Sequence, residues 1–125
     1  MKIIGIDHIQ IAIPRGVEDQ ARAFYADLLG LEEIPKPPEI AGRGGVWFKC
    51  GSRQLHLGVE DDFRPARKAH PGLQVEDIDS LIDSLRRAGY EVQHGGNLPE
   101  IRRIFVSDPF GNRIELLEHI SATEN

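Results

Sequence analysis

Apolar and polar residues alternate through several short stretches of this chain. In Asp7-His8-Ile9-Gln10-Ile11-Ala12-Ile13 the isoleucines fall on one face of a predicted strand. Gln54-Leu55-His56-Leu57-Gly58-Val59, His70-Pro71-Gly72-Leu73-Gln74-Val75 and Arg113-Ile114-Glu115-Leu116-Leu117 carry the same period of two. Two other segments follow a helical period: Ala21, Phe24, Tyr25, Leu28 and Leu29, then Ile78, Leu81, Ile82 and Leu85. Each is followed by a glycine able to take a left-handed cap, Gly30 and Gly89. Gly51-Ser52 and the run Asp108-Pro109-Phe110-Gly111-Asn112 mark tight turns.

In order, these elements spell one plan twice. The first half reads as a strand over about 3–13, a helix over about 18–29, and strands near 31–34, 46–50 and 53–59. The second reads as a strand over about 70–75, a helix over about 77–88, and strands near 90–94, 101–107 and 112–118. The charged, proline-containing stretch 60–69 is the expected linker between module 1 (3–59) and module 2 (70–118) of a single domain, 1–125. The registers agree: Gly30 and Gly89 stand 59 residues apart, as do His56 and Glu115, while His8 and His70 stand 62 apart. The extra three residues are absorbed by the connection Pro14-Arg15-Gly16-Val17.

Candidate chemistry follows from this duplication. His8, His56, His70 and Glu115 sit in the alternating strands, where an unsatisfied polar side chain is costly to bury. A lone strand histidine is usually a satisfied structural residue. These four, however, form two pairs of equivalent positions, on the first and last strands of each half. Three imidazoles and a carboxylate suit one divalent metal ion: Zn, Ni, Co, Mn or Fe. Strand parity turns Gln10, Trp47, Arg103, Phe105 and Arg113 toward the same face as candidate substrate-binding residues. Trp47 and Phe105 offer flat walls. Arg103 is either a fork for a carboxylate or phosphate, or a surface arginine paired with an acid. Gly42-Arg43-Gly44-Gly45 lacks the lysine and the strand-loop-helix context of a phosphate loop, and reads as a flap. His94 and His119 read as solvated.

Composition narrows the classes of partner. Fifteen basic against twenty acidic residues give a net charge of −5, which disfavours nucleic acid. The apolar runs are too short for a membrane span, and the N-terminus enters a strand without the apolar core of a signal peptide, so the expected location is cytoplasmic. Cys50, the only cysteine, lies in an apolar stretch and reads as a buried structural thiol.

Asp7-His8-Ile9, Ala23-Phe24-Tyr25, Leu28-Leu29-Gly30-Leu31, Val75-Glu76-Asp77 and above all Asp108-Pro109-Phe110-Gly111-Asn112-Arg113-Ile114-Glu115-Leu116 resemble the vicinal oxygen chelate superfamily, which includes glyoxalases, bleomycin-resistance proteins and extradiol dioxygenases. The resemblance covers nearly all of residues 3–118. It implies an α+β fold of two βαβββ modules forming a cupped, eight-stranded mixed sheet with the helices outside. It also implies metal ligands at His8, His56, His70 and Glu115, and a homodimer completing the cup around a small-molecule substrate. His56 departs from the Glu or Gln common at its position in glyoxalase I-like and epimerase-like members, leaving Glu115 as the only carboxylate.

The expected function is a metal-dependent enzyme, a lyase or isomerase of glyoxalase or epimerase type, acting on a small carbonyl or carboxylate substrate. In it Glu115 or His56 moves the proton. The alternatives are an Fe(II) extradiol-type dioxygenase using His8, His70 and Glu115 with His56 off the metal, and a non-catalytic resistance protein that sequesters a small molecule.

Overall fold

The computed structural model describes residues 1–96 and 98–120. The chain divides into two compact units, one running to Pro65 and the other beginning at Ala66. The first holds β1 (His8–Ile13), α1 (Glu18–Arg22) with a wider helical continuation (Ala23–Leu28), β2 (Glu32–Ile34), β3 (Val46–Cys50) and β4 (Arg53–Val59). The second holds β5 (Gly72–Gln74), α2 (Ile78–Arg87), β6 (Gln93–His94), β7 (Ile101–Ser107) and β8 (Arg113–His119). Each unit is thus a βαβββ module, as the patterning predicts, and the class is α+β.

The two sheets have matching topologies, β1-β4-β3-β2 and β5-β8-β7-β6. In each, the first strand runs parallel to the last and the other neighbours are antiparallel. A parallel neighbour needs a crossover, and the helix provides it. The cores follow the alternation: Ile11, Ile13, Phe24, Tyr25, Phe48, Leu55 and Leu57 are buried in the first unit, and Ile78, Ile82, Leu85, Ile104, Ile114 and Leu116 in the second.

Some element ends differ from the sequence expectation. β1 begins at His8 because its register sets His8 against Gln54, near the start of β4. Residues before His8 run past the end of their partner strand, and Ile3, Ile4 and Ile6 are exposed. Burial then deepens along β1, from 41% exposed at Ile9 to none at Ile13. β5 is short because Pro71 has no N–H to give, although its carbonyl accepts from the Glu115 N–H at 3.1 Å. In the first helix the Leu29 N–H reaches back five residues to the Phe24 carbonyl, at 2.9 Å. α2 opens on Asp77, whose carboxylate accepts from the Ser80 hydroxyl at 2.7 Å, while Glu118 of β8 accepts from the Asp77 and Ile78 N–H groups.

The 35–45 segment is pinned. Lys36 Nζ donates to the carbonyls of Gly44 (2.7 Å) and Gly45 (3.0 Å), and Glu18 Oε2 accepts from the Gly45 N–H at 2.8 Å. That hydrogen bond is the main cause holding the Glu18 carboxyl below its ordinary range. Cys50 is half-buried rather than buried, and desolvation pushes its thiol pKa up.

Candidate metal and substrate site

In the first unit, strand pairing sets His56 of β4 directly opposite Trp47 of β3 and Gln10 of β1. Cross-strand partners share a face, so the three side chains lie on the same side of the sheet. The His56 ring lies flat against the Trp47 indole, with centroids 3.6 Å apart and planes within 2°, and His8 stacks on it at 4.3 Å and 20°. Gln10 lies along β4 at Gly58, where a Cβ would come within 2.7 Å of the Gln10 amide. His56 is only 4% exposed. Its Nε2 meets Gln54 Oε1 at 2.8 Å, and since that oxygen only accepts, Nε2 carries the proton and Nδ1 is left as a lone pair. Burial first, then the neighbouring His8 charge, lower the His56 pKa from 6.5, against a smaller opposing pull from Asp7.

This shift has a measurable consequence. Below pH 6.5 the unfolded chain takes up the proton before the folded one does, so stability falls with pH. The contribution of neutral His56 is complete above about 6.5 and is lost as pH drops through the lowered folded value. Urea denaturation at pH 7 and pH 5 should therefore show wild type losing more stability than His56→Leu. Parallel losses would refute the assignment.

In the second unit the equivalent row is Gly72, Glu115 and Phe105. His70, two residues before Gly72, reaches along β8, and its Nε2 lies 2.9 Å from Glu115 Oε1. The other ring nitrogen, Nδ1, donates to the Lys68 carbonyl at 2.8 Å. A neutral His70 then presents a lone pair to the carboxylate. Two acceptors this close need a shared cation between them, a proton or a metal ion. An imidazole with one N–H tied to a carbonyl and the other nitrogen beside a carboxylate has the form of a metal ligand, and two donors each about 2.0–2.2 Å from one ion stand roughly 3 Å apart. The donor chemistry of this pair fits a divalent ion.

His8 fits in the same way, since its Nδ1 donates to Asp7 Oδ1 at 2.9 Å and Nε2 is left for a ligand. That bond is the chief cause of the lowered Asp7 pKa. His56 fits less well, because the in-plane lone pairs of two stacked rings run side by side and do not converge. Among the described residues, no group of three or more His, Cys, Asp or Glu is gathered closely enough to hold a metal by itself. The donors come as one pair in each unit.

Arg103 of β7 bears on the second of its sequence readings. It is paired with an acid, but the acid is Glu115 itself, whose Oε2 is 3.5 Å from Nη1, and the arginine is half-buried. Its Nε is buried without a hydrogen-bond partner. It lies across Gly95, where a Cβ would come within 2.6 Å of Arg103 Cγ, so a side chain at 95 would force the arginine to shift. Phe105 packs edge-on to His70 at 5.4 Å, and the Arg113 guanidinium covers its ring at 4.0 Å. Gln54, the Lys68 carbonyl and Gly95 were not legible as site residues. Asp7 was missed as well, although a carboxylate next in sequence to a candidate ligand is a signal that could have found it.

The family model of the Glyoxalase/Bleomycin resistance protein/Dioxygenase superfamily matches residues 5–116. A protein from Bacillus anthracis assigned to the glyoxalase family is 51% identical, with a TM-score of 0.90 over 95% of this chain and 98% of that one. Lactoylglutathione lyase from Agrobacterium tumefaciens is 23% identical (TM-score 0.72, covering 94% and 95%), and a glyoxalase/dioxygenase from Nostoc punctiforme 19% (0.75, covering 94% and 92%). At those identities the two share the fold alone. No curated protein matches. With a family model spanning most of its length, on the same two-module plan that its own strands display, the chain belongs to the Glyoxalase/Bleomycin resistance protein/Dioxygenase superfamily.

Proposed function

We propose that this protein is a metal-dependent lyase or isomerase of glyoxalase or epimerase type, acting on a small substrate with carbonyl or carboxylate oxygens. The observation that carries the proposal is the His70–Glu115 pair, two acceptor atoms 2.9 Å apart with the far side of the imidazole already tied to a backbone carbonyl. Superfamily members commonly bind a divalent metal. His70, Glu115 and His8 would hold it, with His56 beside them. A bound ion supplies Lewis-acid polarisation of substrate oxygens. Within the chain, the unprotonated Nδ1 of His56 and the Glu115 carboxylate are the groups able to take and return a proton on a carbon next to a carbonyl. Arg103 and Arg113 orient the substrate, Trp47 and Phe105 wall it from water, and Gln10 adds an amide contact.

The donor pairs lie on different units, and we infer that they are brought to one ion in a homodimer. Superfamily members typically dimerise, and the exposed Ile3, Ile4, Ile6 and Ile9 offer apolar surface for a second copy.

A second reading is favoured by the stacking of His56 between Trp47 and His8. It leaves two histidines and one carboxylate, the ligand set of non-haem Fe(II) oxygenases. The two readings separate in one assay series on protein of known metal content. Deuterium uptake from D₂O at the carbon next to the carbonyl of 2-oxo and 2-hydroxy acids, followed by NMR, is expected for the first. Oxygen uptake with catechols and Fe(II), without such exchange, would replace it with the second. A protein that holds no metal and does not respond to any would instead be a binding protein that sequesters a small molecule.

A further inference from the structure

The second unit contains a cavity of about 600 Å³ at the turn between β7 and β8, lined by Arg67, Tyr90, Gln93, Phe105, Ser107 and Arg113 among others. A volume of that size accommodates a small organic ligand. Among the described residues neither Arg67 nor Arg113 has a carboxylate within ion-pair distance. Two acids also line the cavity. Asp108 is committed to its own turn, accepting from the Phe110 N–H (2.9 Å), the Asn112 N–H (2.8 Å) and Asn112 Nδ2 (3.0 Å). Glu91 is exposed. The cavity therefore presents two uncommitted guanidiniums.

The duplication sharpens this contrast. Phe105 occupies the position that Trp47 holds in the first unit, since each pairs with the candidate site residue on the last strand of its module. Two residues before that site residue stand Gln54 and Arg113. In the first unit Gln54 caps His56 Nε2, and the aromatic ring is covered by His56. In the second unit the same position carries a cation, its guanidinium carbon 4.0 Å above the centre of the Phe105 ring. A guanidinium held on a ring face keeps its in-plane N–H groups free and loses little freedom on binding, which suits a planar or tetrahedral oxyanion. Phe105 also touches His70 and pairs with Glu115, so a single ring separates Arg113 from the candidate metal pair.

We propose that this cavity binds the anionic end of the substrate, a carboxylate or phosphate ester, and that Arg113 determines the specificity for it. What then happens to that substrate rests on the function proposed above, while binding of the anion does not.

The test is calorimetric titration of the full-length protein with benzoate and phenyl phosphate, against neutral benzamide and cationic benzamidine, with metal present and after chelation. Both anions should bind at least about tenfold more tightly than the other two, chelated or not, and the tighter of the two identifies the source. Arg113→Gln should lose about ten- to a hundredfold in anion affinity with benzamide unaffected, and Arg113→Lys should recover part of it. Benzamide binding as tightly as benzoate, or Arg113→Gln and Arg113→Lys both binding benzoate like wild type, would overturn the proposal. Protein that takes up no divalent metal under any loading condition, yet still prefers the anions, sustains it and removes only the enzymatic reading.

Discussion

Replacing Glu115 with alanine is expected to strip the protein of its metal, weakening affinity at least about a hundredfold, and to abolish turnover with it. The carboxylate is the single anionic donor of the proposed set. Even groups that merely hold a ligand are typically worth ten- to a hundredfold in metal affinity. Its removal also leaves His70 Nε2 without its 2.9 Å neighbour and Arg103 without its acid. Elemental analysis of wild type, Glu115→Ala and His56→Ala after equal metal loading reads this directly. His56→Ala should retain metal, because its ring is engaged by Trp47, His8 and Gln54. Full metal in Glu115→Ala would show the ligand assignment to be wrong. Mixing subunits extends the test to assembly: His8→Ala and Glu115→Ala chains, each inactive alone, should regain partial activity together if each site draws on two copies.

The second large effect is on stability, at Gly45. Its φ is +89°, and an added Cβ would be driven into the Leu57 carbonyl oxygen, a backbone atom of the β3–β4 pairing that cannot simply swing aside. Gly45→Ala should cost roughly 3 kcal/mol or more, combining backbone strain with overpacking. That corresponds to a melting temperature lower by roughly 10 °C. Its N–H and carbonyl also anchor the contacts from Glu18 and Lys36, so the 35–45 segment should loosen as well. Gly30 provides the control. Its φ is +82° but nothing lies within 4 Å of the added Cβ, so alanine there should cost only about 1 kcal/mol. Equal shifts in the two variants, read by thermal denaturation, would show that the clash at Gly45 relaxes at no cost.

Much of the fold was legible because it rests on local rules. The strands expected near 46–50, 53–59 and 101–107 became β3, β4 and β7 at those bounds. The capping glycines Gly30 and Gly89 both adopt positive φ. Strand ends were less legible, since an end is set by where the partner stops: β1 lost its first residues because β4 begins at Arg53. The site followed the same division. That His8, His56, His70 and Glu115 occupy equivalent positions in a duplication could be counted along the chain. Which nitrogen each ring commits, and to what, could not.

The sequence by itself determined the two βαβββ modules, the faces of their strands and the identity of the polar residues on them, because alternation and turn chemistry act between near neighbours. Only the tertiary structure decided that His56 lies flat between Trp47 and His8, that His70 meets Glu115, and that Arg113 rests on Phe105 beside a cavity. Those outcomes depend on cross-strand register, which brings together residues far apart in the chain, and on packing that gives each ring one orientation among several the sequence allows.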